Sequence, residues 1–164
     1  MLDPASLPHW PYARAVDQEL AARGIPAGAV RVDRDFRRET ALRLVFTWDA
    51  SRCAGPGGIR LIWHDDTGWA HSLLRPDAVS AIPRGPLTAL RRVYATPRDV
   101  AEVAAALVSW RFRQYNGAHH GQWEQAAQVR AAIDAFHLTV NTASPRTSPA
   151  LSHGPVGAGR TSSS

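Results

Sequence analysis

The 164 residues, 45% apolar and 20% charged, leave room for one hydrophobic core with spare sequence around it, which excludes a multidomain enzyme within them and a wholly disordered chain. All 19 basic residues are arginine, set against 14 acidic ones, and the resulting charge of +5 is too small to argue for nucleic acid by itself. Cys53 has no second cysteine to pair with, the N-terminus lacks the basic start and apolar run of a signal peptide, and no stretch approaches the roughly 20 apolar residues of a membrane span, so the sequence predicts a soluble cytoplasmic protein.

Residues 1–8 read as a polar lead. Pro8 and Pro11 then bracket a helix start, and Gly24 with Pro26 stops it; Trp10, Ala13, Val16 and Leu20 recur on one stripe of the intervening residues. The period then changes to two. Residues 29–33 read as a short strand and 40–48 as a longer one, with Leu42, Leu44, Phe46 and Trp48 on one face and Arg43, Val45 and Thr47 on the other. The charged run from Asp33 to Glu39 between them reads as a surface turn. After the glycine-rich loop Gly55 to Gly58, alternation resumes over 59–64, and the turn formers Asp65-Asp66-Thr67-Gly68 that follow predict a hairpin whose second arm is residues 69–74.

Pro76, Pro83, Gly85 and Pro86 mark a loop, and residues 87–94 then read as a fifth strand. Thr96-Pro97-Arg98-Asp99 supplies a capping threonine, a proline at the first helical position and an acid three residues past the cap. Val100, Val103, Leu107 and Trp110 continue at helical spacing, and Asn116-Gly117 marks an end. A third helical stripe, Trp123, Ala126, Val129, Ile133 and Phe136, runs within residues 122–137. From residue 139 to 164, 16 of 26 residues are Ser, Thr, Pro or Gly, so this tail is expected to be disordered.

The hairpin Leu61-Ile62-Trp63-His64-Asp65-Asp66-Thr67-Gly68-Trp69, with its L-x-W-x-x-x-x-G-W pattern, resembles an actinobacterial family labelled domain of unknown function 6292. The resemblance extends to the opening Trp10-Pro11-Tyr12 helix and the proline-started helix at Pro97, and so covers roughly residues 9–113 as one domain. It implies an actinomycete source, which the complete use of arginine over lysine also suggests through the codon bias of a G- and C-rich genome. It brings no activity, because the family has none established. The chain departs from it in its arginine-rich strands and its extension past Arg113.

Helix, antiparallel strands, helix predicts an α+β fold: an antiparallel sheet of four to five strands, an N-terminal and a C-terminal helix packed on one face, and an appended helix within residues 114–138. The tryptophans are read as core, with Trp48 and Trp63 on strands meeting Trp10 and Trp110 on helices. The opposite sheet face would then carry Arg31, Arg43, Arg60 and His64, interleaved with Val45 and Ile62. Such a face matches phosphate oxygens, although it lacks aromatic platforms and has Asp33, Glu39 and Asp49 nearby to solvate or neutralise it.

Catalytic patterns are weak throughout. His64, Asp65, Asp66 and His71 include metal-ligating types, but turn stabilisation accounts for the aspartates better. His119-His120 reads as linker. Cys53 has no neighbouring base, and the Gly55 to Gly58 loop lacks the Lys-Ser/Thr of a phosphate-binding loop. No enzyme, metal or cofactor is therefore expected. The appended stripe of Trp123, Val129, Ile133 and Phe136 is a candidate for binding another subunit or protein, weighed against docking back on its own sheet as the default. The leading expectation is a small non-enzymatic interaction or regulatory module, with an unknown protein partner or self-association. A nucleic-acid-associated protein using the arginine face is the alternative, and an enzyme or binder of a small anionic ligand held by the same arginines is third.

Overall fold

A computed structural model describes residues 3–38, 41–77 and 80–143. The first helix, α1 (Trp10–Ala22), carries proline in its first turn and buries Tyr12, Ala13, Val16 and Leu20 along one stripe. It ends in a Schellman motif: the Gly24 and Ile25 amides bond back to the Ala21 and Leu20 carbonyls, with Gly24 in the left-handed region at φ 78°. Ahead of it, Pro4–Ser6 forms a 3₁₀ turn and Leu7 is buried, so the N-terminal lead contributes to the core.

Five strands follow, β1 (Ala29–Arg34), β2 (Leu42–Trp48), β3 (Ile59–His64), β4 (Gly68–Leu74) and β5 (Ala81–Pro86), paired antiparallel in chain order. The alternation seen in the sequence is the alternation of burial in β3, whereas Val45 of β2 and Ser72 and Leu74 of β4 are buried on the other face as well. Phe46 lies opposite Leu61, Leu44 opposite Trp63, and Trp63 opposite Trp69, and all five lie in the core cluster. The glycine-rich loop has a steric cause. A Cβ on Gly58 would lie 2.4 Å from the Trp48 carbonyl oxygen and one on Gly57 2.0 Å from that of Leu74, so the loop backbone runs against both neighbouring strands.

The second helix, α2 (Pro97–Val108), is capped by Thr96, whose hydroxyl accepts from the Asp99 amide, and it packs beside α1 on the inner face of the sheet. It also ends in a Schellman motif, but with Trp110 at φ 61° where glycine is usual. That placement turns the ring out, leaving Trp110 49% exposed, while Trp10 is half-buried. The expected core pairing of strand and helix tryptophans is thereby corrected. Trp63 and Trp69 instead meet Tyr12, and Tyr12 meets Trp123, which precedes the third helix.

That helix, α3 (Ala126–Ala143), runs six residues past the predicted end, so residues 139–143 are helical rather than tail; residues 144–164 lie outside the described ones. The fifth strand is also displaced from its expected position. Residues 81–86 pair with β4, whereas 87–94 hold only one isolated bridge, from Leu90 to His119, because the prolines that suggested a loop are accepted on an edge strand. Glu39 and Thr40, read as the end of the charged turn and the start of the second strand, lie outside the described residues.

Candidate functional site

The strand register decides where the predicted arginines point. Arg31 is opposite Val45, itself opposite Ile62; Asp33 is opposite Arg43, itself opposite His64; Arg60 is opposite Thr47 and Ser72. Arg31, Arg43, Arg60 and His64 therefore share the outer face, away from the helices. Their charge is largely taken up there. Arg43 grips Asp33 with both arms of its guanidinium, at 2.9 and 3.0 Å, and Arg31 adds a third bond to the same carboxylate at 3.1 Å. His64 bonds Asp35 at 3.1 Å, and Arg38 pairs with Asp66 of the next turn. Arg60 alone lacks such a partner among the described residues, and its Nε is buried without an acceptor. The face is a ladder of ion pairs, with little net charge left to attract a phosphate chain, because Asp33 and Asp35 emerge beside the arginines when β1 pairs with β2.

The stripe read as a partner-binding helix is buried. Trp123, Val129 and Ile133 lie in the core and Phe136 is packed against it. The Trp123 ring is 5.0 Å from that of Tyr12, Arg130 lies over the Tyr94 ring at 5.1 Å, Arg34 lies over Phe136 at 5.8 Å, and His137 bonds Asp65 at 3.2 Å. The helix docks in cis on the α1 side of the sheet, so those four side chains are not a surface for another protein, and the outer face stays clear of it.

The remaining candidates separate cleanly. His64 points outward, whereas His71 faces inward against Phe112, so the hairpin histidines do not converge; Asp65 instead accepts from the Leu42 amide and from His137. No group of three metal-ligating side chains is found among the described residues. Burial raises the pKa of the Cys53 thiol, which works against thiolate formation.

The sequence reading missed a hydrogen-bonded chain on α2. His119 Nδ1 lies 3.1 Å from Asp99 Oδ1, its Nε2 meets the Tyr115 hydroxyl, and that hydroxyl donates to Glu102 Oε1 at 3.2 Å. Asp99 and Glu102 share a helix face at i, i+3, and Tyr115 and His119 are four residues apart, but neither spacing says that the two pairs meet. Burial, followed by the Glu102 charge, pushes the Tyr115 phenol up to about 12. The phenol therefore holds its proton at neutral pH, which suits a strut fastening the segment after α2 onto its first turn better than a nucleophile.

The last feature is a groove of about 880 Å³ between α1 and the free edge of β1, lined by Trp10, Ala13, Asp17, Val30, Val32 and Phe36 among others. Val30 is 38% and Phe36 89% exposed, an unusual display for large apolar side chains beside an unpaired strand. Comparison with protein-family models, curated proteins and solved structures finds no match to this chain.

Proposed function

We propose that the chain is a small non-enzymatic interaction module, that its contact surface is the open edge of β1 with the adjoining groove, and that the occupant is a second copy. The observation that carries this is the asymmetry of the two sheet edges. Strand β5 is blunted by Pro83 and Pro86 and by a register shift opposite His71 and Ser72, the usual protections of an edge. Strand β1 has neither proline nor bulge, and it offers Val30 and Phe36 beside its backbone.

Self-pairing is favoured by the charge order of Ala29-Val30-Arg31-Val32-Asp33-Arg34. An antiparallel pairing centred on Val32 sets Arg31 opposite Asp33 of the second copy and Asp33 opposite Arg31 of the second copy, with Val32 against its own counterpart. Each Asp33 keeps the two-armed grip of its own Arg43. The family resemblance supplies no activity, so the support is this geometry alone. A nucleic acid on the outer face, or a small anion held there, is disfavoured by the pairing of Arg31 and Arg43 with Asp33.

Sedimentation velocity over a range of micromolar concentrations tests the proposal. The wild-type chain is expected to be a dimer, and R31D, which sets like charges across the axis, and V30K, which places a charge on the edge, are expected to be monomers with unchanged circular dichroism. A monomeric wild type, or variants that dimerise as well as it does, would overturn the proposal.

A further inference from the structure

A second concavity, independent of the β1 edge, lies where three element ends converge. It is an open depression of about 700 Å³. Arg23 follows the last turn of α1, Arg52 sits in the 3₁₀ turn after β2, and Arg111 follows α2; all three line it. The floor is the outward side of α2, where Ala105 and Ala106 have side chains too short to fill the space, and Glu102 and Tyr115 form part of the wall.

The three arginines differ from those on the sheet. Arg31 and Arg43 share Asp33, and Arg38 holds Asp66. Among the described residues, Arg23, Arg52 and Arg111 form no ion pair with a carboxylate, although the charge of Arg52 is felt by the exposed Asp49 three residues before it, and the one side-chain bond in the set is from Arg52 to the Pro26 carbonyl at 3.4 Å. The nearby carboxylate, Glu102, is already engaged by the Tyr115 hydroxyl and lies 3.7 Å from His119. Three guanidiniums on one concave surface repel each other, and a bound anion offsets that repulsion.

Charge and shape narrow the class of anion. With Glu102 counted, the wall carries a net two positive charges, which a phosphate dianion balances and a single carboxylate does not. Guanidinium forks match phosphate oxygens in pairs, and three of them suit the three terminal oxygens of a phosphomonoester better than the two of a carboxylate. Glu102, repelling the phosphate itself, sets it toward the arginines and leaves an acceptor for a hydroxyl on the organic part of the ligand. We propose that this depression binds a small molecule bearing a terminal phosphate.

The test is calorimetric titration of the full chain with inorganic phosphate, at low ionic strength and about pH 8, where the dianion dominates. Saturable binding is expected, weakened about tenfold or more in each of R52Q and R111Q and unchanged in R84Q, whose arginine lies outside the depression. The substituted side chains are exposed, and unchanged circular dichroism would confirm that the variants fold. Absence of saturable binding up to about 10 mM, or an equal loss in R84Q, would overturn the proposal. So would a single-stranded oligonucleotide that displaces phosphate at a lower concentration of phosphate groups, since its diesters carry one charge each and would mark a polyanion surface instead.

Discussion

Tyr12 concentrates more of the aromatic core than any other side chain. Its ring meets those of Trp63, Trp69, Tyr94 and Trp123. Its hydroxyl donates to the Ala95 carbonyl at 2.7 Å and accepts from Trp69 Nε1 at 3.2 Å, and burial holds the phenol well above its ordinary pKa. Tyr12→Phe keeps the ring but strands a carbonyl and an indole N–H in the interior. The expected loss is about 2 kcal/mol or more in urea unfolding, and a change below about half of that would mean water replaces the hydroxyl. His9, also fully buried, stacks on Trp63 and donates from Nε2 to the Arg43 carbonyl at 3.1 Å, leaving Nδ1 without a partner. Burial lowers its pKa below 6.5 despite that bond and the nearby Asp65 and Asp33. The unfolded chain then binds more protons than the folded one once pH falls below about 6.5, so this contribution to stability is complete above that pH and is lost toward the lower folded pKa. His71, lowered by burial and by Arg84, acts in the same direction. In His9→Gln, which retains an N–H for Arg43, the fall in stability between about pH 7.5 and 5.5 should be shallower than in wild type; identical slopes would remove His9 from the account. Sequence placed Tyr12 in a helix whose packing stripe was drawn through Trp10, and the exchange of the two is a matter of which side of α1 meets the sheet, which periodicity alone leaves about one residue uncertain.

Among the elements, α3 best separates pattern from placement. Its stripe at Trp123, Ala126, Val129 and Ile133 was legible at helical spacing, but the same spacing serves a helix that docks on its own core or on another protein. The structure chooses the first, through the Trp123 contact with Tyr12 and the bond between His137 and Asp65. Ile133→Ala should therefore cost about 2–4 kcal/mol by denaturant unfolding, as a fully packed core position does. A loss under about 0.5 kcal/mol would place α3 off the body in solution. Strands β2 and β3 were legible because apolar residues alternate onto the buried inner face, and β4 because turn formers precede it, whereas β5 has exposed residues throughout its first four positions and carries two prolines, so neither burial nor propensity marked it. Loop Gly55 to Gly58 was recognised as a turn, but the reason for its glycines, the approach to the Trp48 and Leu74 carbonyls, depends on strands far apart in sequence.

At the scale of the whole molecule, charge and edges are distributed unevenly. The outer sheet face, read as basic, is close to neutral where Asp33 and Asp35 meet Arg31, Arg43 and His64, while Arg23 and Arg111, without an ion pair among the described residues, stand at the ends of α1 and α2. One sheet edge is closed by proline and the other is open. Dimerisation through β1 would bury Val30 and Phe36 and join two five-stranded sheets into one, and the midpoint of thermal unfolding would then rise with protein concentration. The sequence by itself determined the α+β class, the two capped helices, four of the five strands to within about two residues, and the shared face of Arg31, Arg43, Arg60 and His64, because these follow from capping chemistry and from periods of two and 3.6 that act over a few residues. Tertiary structure alone decided that Asp33 neutralises that face, that α3 docks in cis, that His119 reaches Asp99 and that Arg23, Arg52 and Arg111 come together. Each of these is a meeting of segments separated by long stretches of chain or by a register, and local composition carries no record of which distant neighbour a side chain will face.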